Sequence, residues 1–203
     1  RFLGLHFFNP VAQMPLVEII HSAATDPAVV QTAIAFTRKL DRLPVPCRSA
    51  PGFIVNRVLM PYLHEAMHAA QQGVPINVID EAAVAFGMPM GPIELADVVG
   101  LDVAAHVGEI VADELGRPAP NLTRLRELIA LGKLGRKSGA GFYLWRDGKP
   151  VKPAASADPP PRELIDRLIL VLVNECAACL REQIVEEADF IDAAVIFGTG
   201  FAP

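Results

Sequence analysis

Gly4-Leu5-His6-Phe7-Phe8-Asn9-Pro10-Val11-Ala12-Gln13-Met14-Pro15-Leu16-Val17-Glu18 carries two apolar runs, Phe2 to Phe8 and, continuing past Glu18, Leu16 to Ile20. Both read as strands, and prolines punctuate the segment between them. Asp26-Pro27 then supplies an N-cap followed by proline at the first helical position, predicting a helix to about Leu40. Leu43 to Cys47 is a short, proline-flanked strand. Strand, strand, helix, strand over residues 1–48 is the tail expected of a doubly wound α/β sheet. His6 and Glu18 stand twelve positions apart, one in each run. A carboxylate that holds one ring nitrogen fixes the tautomer and stabilises the imidazolium, which equips the histidine as a general base. Spacing alone also fits a buried histidine beside an unrelated surface glutamate.

Beyond Ser49-Ala50-Pro51-Gly52 the pattern becomes helical. Ile54, Val55, Val58, Leu59, Leu63, Ala66 and Met67 keep close to one face of a 3.6 period over residues 53–72. Further helices are expected at 78–86, from Pro92, from Asp102 to about Leu115, and at 122–131. The glycine-rich turn 135–141 leads into a strand at Phe142 to Trp145. A proline- and alanine-rich stretch, 147–161, reads as a linker.

The last segment, 162–203, repeats the first helical one, 49–146. Arg167-Leu168-Ile169-Leu170-Val171-Leu172-Val173-Asn174-Glu175-Cys176 aligns without gaps to Arg57-Val58-Leu59-Met60-Pro61-Tyr62-Leu63-His64-Glu65-Ala66. Ile191 to Gly198 matches Ile79 to Gly87 with one residue dropped. Two copies of a helical unit are expected to pack on each other or to self-associate, the second copy being incomplete. The fold class is therefore mainly α, following the end of a sheet domain.

Composition narrows the function classes. A 203-residue chain with 52% hydrophobic and 20% charged residues suits a well-buried globular protein. Its net charge of -5 argues against a nucleic-acid or anionic-membrane surface. No apolar stretch approaches the ~20 residues that span a bilayer. Three cysteines do not suggest a disulfide framework and fit a reducing compartment such as a bacterial cytoplasm.

Other motifs read as structural. His64-Glu65-Ala66-Met67-His68 is a literal H-E-x-x-H, which keeps a zinc hydrolase open as an alternative. Both histidines are expected on the polar side of their helix, and the repeat keeps the glutamate while losing both, so no metal site is assigned. Cys176 and Cys179 read as small core residues. Lys133, Arg136, Lys137 and Ser138 form a basic turn that lacks P-loop spacing, either a plain turn or a contact for a ligand or for the rest of the sheet. Asn56 would cap a helix or face a cleft. Arg57 reads as a structural ion-pair partner.

Gly4 to Val11 with Leu16-Val17-Glu18, Pro51-Gly52-Phe53-Ile54-Val55-Asn56-Arg57, Gly87-Met88-Pro89-Met90-Gly91-Pro92-Ile93-Glu94-Leu95-Ala96-Asp97, and Gly135-Arg136-Lys137-Ser138-Gly139-Ala140-Gly141-Phe142-Tyr143 occur in that order. Together they closely resemble the 3-hydroxyacyl-CoA dehydrogenase family. The resemblance implies an NAD-dependent oxidoreductase of fatty-acid β-oxidation that acts on 3-hydroxyacyl-CoA. It implies the end of a Rossmann-like NAD-binding domain, with His6 as base, Glu18 orienting it and Asn56 contacting substrate; Asn9, before Pro10, either shapes a turn or, by its position near His6, binds the cofactor. It implies helical units like the C-terminal domain of 6-phosphogluconate dehydrogenase. The paired helical regions resemble multifunctional fatty-acid oxidation alpha subunits, which implies a thiolase subunit as partner. The family's Gly-x-Gly-x-x-Gly turn is not in these 203 residues, so the segment reads as a fragment expected to bind NAD weakly and to be inactive alone. A non-catalytic helical packing module is the remaining alternative.

Overall fold

The computed structural model describes residues 2–118, 121–156 and 158–201. The chain forms two compact units, Arg1–Val58 with Val173–Pro203, and Leu59–Leu172.

In the first unit, β1 (Gly4–Phe7), β2 (Leu16–His21) and β3 (Leu43–Arg48) form a sheet in the order β1-β2-β3. β1 runs antiparallel to β2, and β2 runs parallel to β3 through the crossover helix α1 (Pro27–Lys39). Asp26 caps α1 by accepting the Ala28 amide at 2.9 Å. β2 is the central strand, and Leu16, Val17, Ile19 and Ile20 are all buried together with the carboxylate of Glu18, so its apolar residues do not alternate with exposed ones. α8 (Ala188–Thr199) packs on β2 and β3. It approaches closely because Gly198 lacks a side chain: a Cβ there would stand 2.7 Å from Val55 Cγ2 and 3.0 Å from Leu16 Cδ2. The expected two strands, helix and strand over 1–48 are therefore present, with β1 shorter than the anticipated Phe2 to Phe8 and β2 and β3 each one residue longer than anticipated.

The boundaries between units fall inside α2 (Val55–Gln71) and α7 (Arg162–Arg181). The second unit adds α3 (Ile76–Phe86), α4 (Pro92–Val99), α5 (Leu101–Glu114), α6 (Thr123–Ala130) and a hairpin of β4 (Leu144–Arg146) with β5 (Lys149–Val151). Tyr62, Leu63, Ile79, Ile93, Leu101, Leu122 and Leu125 form its core. Two buried aspartates pin its turns. Asp80 accepts the amides of Ile93 (2.8 Å) and Glu94 (3.2 Å) at the start of α4, and the Tyr143 hydroxyl at 2.9 Å. Asp97 accepts the amides of Phe142 and Tyr143, both at 2.9 Å, and the Trp145 indole N–H at 3.0 Å. These contacts give the Gly-Pro-Ile-Glu and Gly-Ala-Gly-Phe-Tyr stretches their physical reason. A Cβ on Gly91 would overlap Asp80, and one on Gly141 would overlap Asp97.

Part of the stretch read as a linker is structured and tied down. Residues 149–151 form β5, Lys152 bridges Asp80 (3.3 Å) and Glu94 (2.6 Å), and Ser156 donates its amide to Glu81. A proline-rich stretch can still be tied down when it forms the edge of a hairpin and supplies a cation to a buried carboxylate.

Candidate active site

His6 and Glu18 face each other directly across the β1–β2 ladder. That register places both side chains on one side of the sheet, within reach of each other. Nδ1 of His6 lies 2.6 Å from Oε2 of Glu18, whose side chain is fully buried, while the imidazole keeps 31% of its surface exposed. An ionised carboxylate only accepts, so Nδ1 carries the proton and Nε2 is left as the ring's acceptor. The other oxygen of Glu18, Oε1, accepts the backbone amides of Ile54 (2.9 Å) and Val55 (3.0 Å). One carboxylate thus fixes the ring of β1 and the first turn of α2 together. Phe8 and Phe53 flank the imidazole, with ring centroids 4.5 and 5.7 Å away. Phe53 adopts a positive φ of 51° just before the helix, a backbone state uncommon for an aromatic residue and tolerated where the surroundings fix it.

Asn56 is half-buried and directly follows Val55, so the Glu18 bridge holds the turn on which it sits. Asn9 lies exposed beyond the end of β1. Arg57 is an ion-pair partner, as expected: its side chain is 1% exposed, with Nη1 2.7 Å from Glu182 and Nε 3.4 Å from Glu175.

The H-E-x-x-H segment is not assembled as a metal centre. Glu65 is paired with Arg167, and His68 lies 3.1 Å from the Gln72 amide nitrogen. No group of three or more His, Cys, Asp or Glu is placed to hold a metal ion among the described residues. His68 is exposed on the polar face, but His64 departs from expectation. Its ring lies against Gly108 of α5, at the wall of a cavity of about 260 Å³, and Nε2 is buried without a hydrogen-bond partner. The signal for this was a glycine on another helix, which no spacing within α2 discloses. Burial lowers the His64 pKa below its ordinary value of 6.5. Between the two values the unfolded chain binds a proton that the native state refuses, so His64 removes stability as the pH falls through 6.5. Comparing unfolding free energies at neutral and mildly acidic pH should show a smaller acid loss in His64→Gln than in the wild type. Equal losses would count against this burial.

The remaining motifs are structural in form. Lys137 pairs with Asp102 at 2.6 Å, and Ser138 Oγ accepts the Leu134 amide. Cys179 is buried and Cys176 partly so, and burial pushes the Cys176 thiol up to about 12, which disfavours thiolate chemistry. No described helix is long and apolar enough to cross a membrane.

Comparison with known proteins meets this geometry. Residues 1–50 match the model of the 3-hydroxyacyl-CoA dehydrogenase NAD binding domain, and residues 52–145 match that of the 3-hydroxyacyl-CoA dehydrogenase C-terminal domain. The chain belongs to the 3-hydroxyacyl-CoA dehydrogenase family. The Idiomarina loihiensis fatty acid oxidation complex subunit alpha is 39% identical, with all of this chain and 31% of that protein aligned; the Acinetobacter baumannii subunit is 37% identical with the same coverage. The chain thus spans about a third of the length of the curated relatives it matches. Among solved structures, 3-hydroxybutyryl-CoA dehydrogenase from Escherichia coli K12 superposes with a TM-score of 0.83 at 28% identity, over 98% of this chain and 61% of that one. (S)-3-hydroxybutyryl-CoA dehydrogenase from Ralstonia eutropha gives 0.68 at 37% identity, over 72% and 53%.

The family implies NAD, and the described residues of this family member fit only part of it. The His6 imidazole, held by Glu18 and 31% exposed, is accessible to a bound group. The amide of Ala28 at the N-terminus of α1 is already taken by Asp26, so that helix does not offer the phosphate cradle that a pyrophosphate requires.

Proposed function

We propose that this chain supplies the proton-handling and substrate-facing part of an NAD-dependent (S)-3-hydroxyacyl-CoA dehydrogenase of fatty-acid β-oxidation, converting 3-hydroxyacyl-CoA to 3-ketoacyl-CoA. The observation that carries the reading is the Glu18 bridge, which joins the His6 ring to the backbone immediately before Asn56. His6 takes the proton of the C3 hydroxyl at Nε2. Glu18 keeps Nδ1 protonated and stabilises the imidazolium as it forms. Asn56 contacts the substrate, and the aromatic rings of Phe8 and Phe53 limit water around the imidazole. NAD, when bound, accepts the hydride from C3; Asn9, beyond the end of β1, is assigned to its side of the site.

The domain assignment follows the family: 1–48 ends the NAD-binding domain, 49–146 is the first helical domain, 147–161 connects, and 162–203 belongs to a second helical copy. The reciprocal pairs Arg57 with Glu175 and Arg167 with Glu65 support the duplication, since each arginine meets the glutamate of the other copy and the two glutamates hold aligned positions. A thiolase subunit is the partner this reading assigns, and a reducing cytoplasm its setting. Oxidation of substrate deuterated at C3 by the intact enzyme should deliver the label to the nicotinamide. Turnover without label transfer, or no turnover with any 3-hydroxyacyl-CoA, would sink the assignment.

A further inference from the structure

The two arginine clamps differ in one residue. The register that aligns Arg57 with Arg167 and Glu65 with Glu175 also aligns Gln72 with Glu182. Arg167 is held by Glu65 and, at 2.8 Å, by the side-chain oxygen of Gln72. Arg57 is held by Glu175 and Glu182, and the Glu182 contact, at 2.7 Å, is the shorter. The arginine facing two carboxylates is the one next to Asn56. It is also the more buried: the Arg57 side chain is 1% exposed, that of Arg167 33%. Nη2 of Arg57 is buried without a partner, so this cation depends on the contacts it does make. Leaving a buried guanidinium short of charge drives the chain to move it toward water.

The first turn of α2 is thus gripped from two sides. Glu18 holds the amides of Ile54 and Val55, while Glu182 and Glu175 hold the side chain of Arg57. Asn56 lies between the two grips. We propose that Glu182 is a positioning residue, which fixes Asn56 and the amide donors of Glu18 through Arg57, so that residues 162–203 serve the reaction as well as the packing. This rests on the reading of Asn56 as the substrate contact. A shift of about 1 Å at such a turn is enough to cost a reaction heavily.

Glu182→Gln makes this clamp chemically like the one that already holds Arg167, so the variant is expected to fold. In the intact enzyme, KM for 3-hydroxyacyl-CoA should rise about tenfold with kcat changed less than about threefold, a split that marks lost substrate contact. Amide hydrogen exchange at Ile54 and Val55 should quicken. Glu182→Asp, which keeps the charge, should recover most of the KM, and Gln72→Glu should alter neither measurement. Unchanged exchange at Ile54 and Val55 in Glu182→Gln would overturn the clamp. Faster exchange with an unchanged KM, while Asn56→Ala raises KM, would overturn the positioning role and leave the Asn56 reading standing. If Asn56→Ala leaves KM unchanged, the substrate-contact reading falls and takes this role with it.

Discussion

Replacing His6 with alanine is expected to slow turnover of the intact enzyme by ~10²–10⁴-fold, about 3–5.5 kcal/mol of barrier, with folding retained. The imidazole is partly exposed on an outer strand of the three-stranded sheet and contributes one hydrogen bond to its surroundings, so its removal empties no core. What it removes is the acceptor that receives the hydroxyl proton. Glu18→Gln should move in the same direction for a different reason. Its amide nitrogen would donate toward Nδ1 and shift the ring proton to Nε2, where the base has to be open. Steady-state rates and circular dichroism on the same preparations separate chemistry from folding. A His6→Ala enzyme within about threefold of wild type would end the assignment of a general base.

The largest effect on stability is expected at Asp97. Its carboxylate is fully buried and receives three donors, two backbone amides and one indole N–H, from residues 142–145. Burial holds its pKa above the ordinary carboxylate value, opposed by these hydrogen bonds. Asp97→Ala leaves all three donors without an acceptor, and at ~1–3 kcal/mol for each such buried group the summed cost, after partial relaxation, is about 3–5 kcal/mol. Urea unfolding should show the loss as a lower midpoint at similar slope. Asp97→Asn should fall between, because one acceptor survives while the other position becomes a donor facing donors. A loss under about 1 kcal/mol for the alanine variant would mean that water or another oxygen replaces the carboxylate.

The sheet of the first unit and most helices were legible because each carries its own pattern: apolar residues on both sides of Glu18 for the buried strand β2, and a 3.6 repeat for α2. The His6–Glu18 pair was legible only as two residues of the right kind. Its direct cross-strand register depends on how the turn at 10–15 closes, which spacing does not fix. The second role of Glu18 carried no pattern, since its acceptors' partners are backbone amides 36 and 37 residues away. Asp80 and Asp97 were hidden for the same reason: buried acceptors of distant amides look like any aspartate on a helix. Glu182 was within reach, because continuing the repeat alignment past Cys176 brings it opposite Gln72, and the change from amide to carboxylate is visible there.

The first unit is assembled from chain segments at both ends of the sequence: β1, β2 and β3 come from its start, and α8, which lies on β2 and β3, from its finish. More than a hundred residues of the second unit are synthesised between them. At ~5–20 residues per second a ribosome takes on the order of 5–20 s to cross that interval. During this time the face of β2 that carries Leu16 has emerged without the helix bearing Gly198 to cover it. A nascent chain paused in this window exposes an apolar strand of the kind that chaperones retain, and a premature stop codon within 59–172 would leave that strand uncovered for the life of the product.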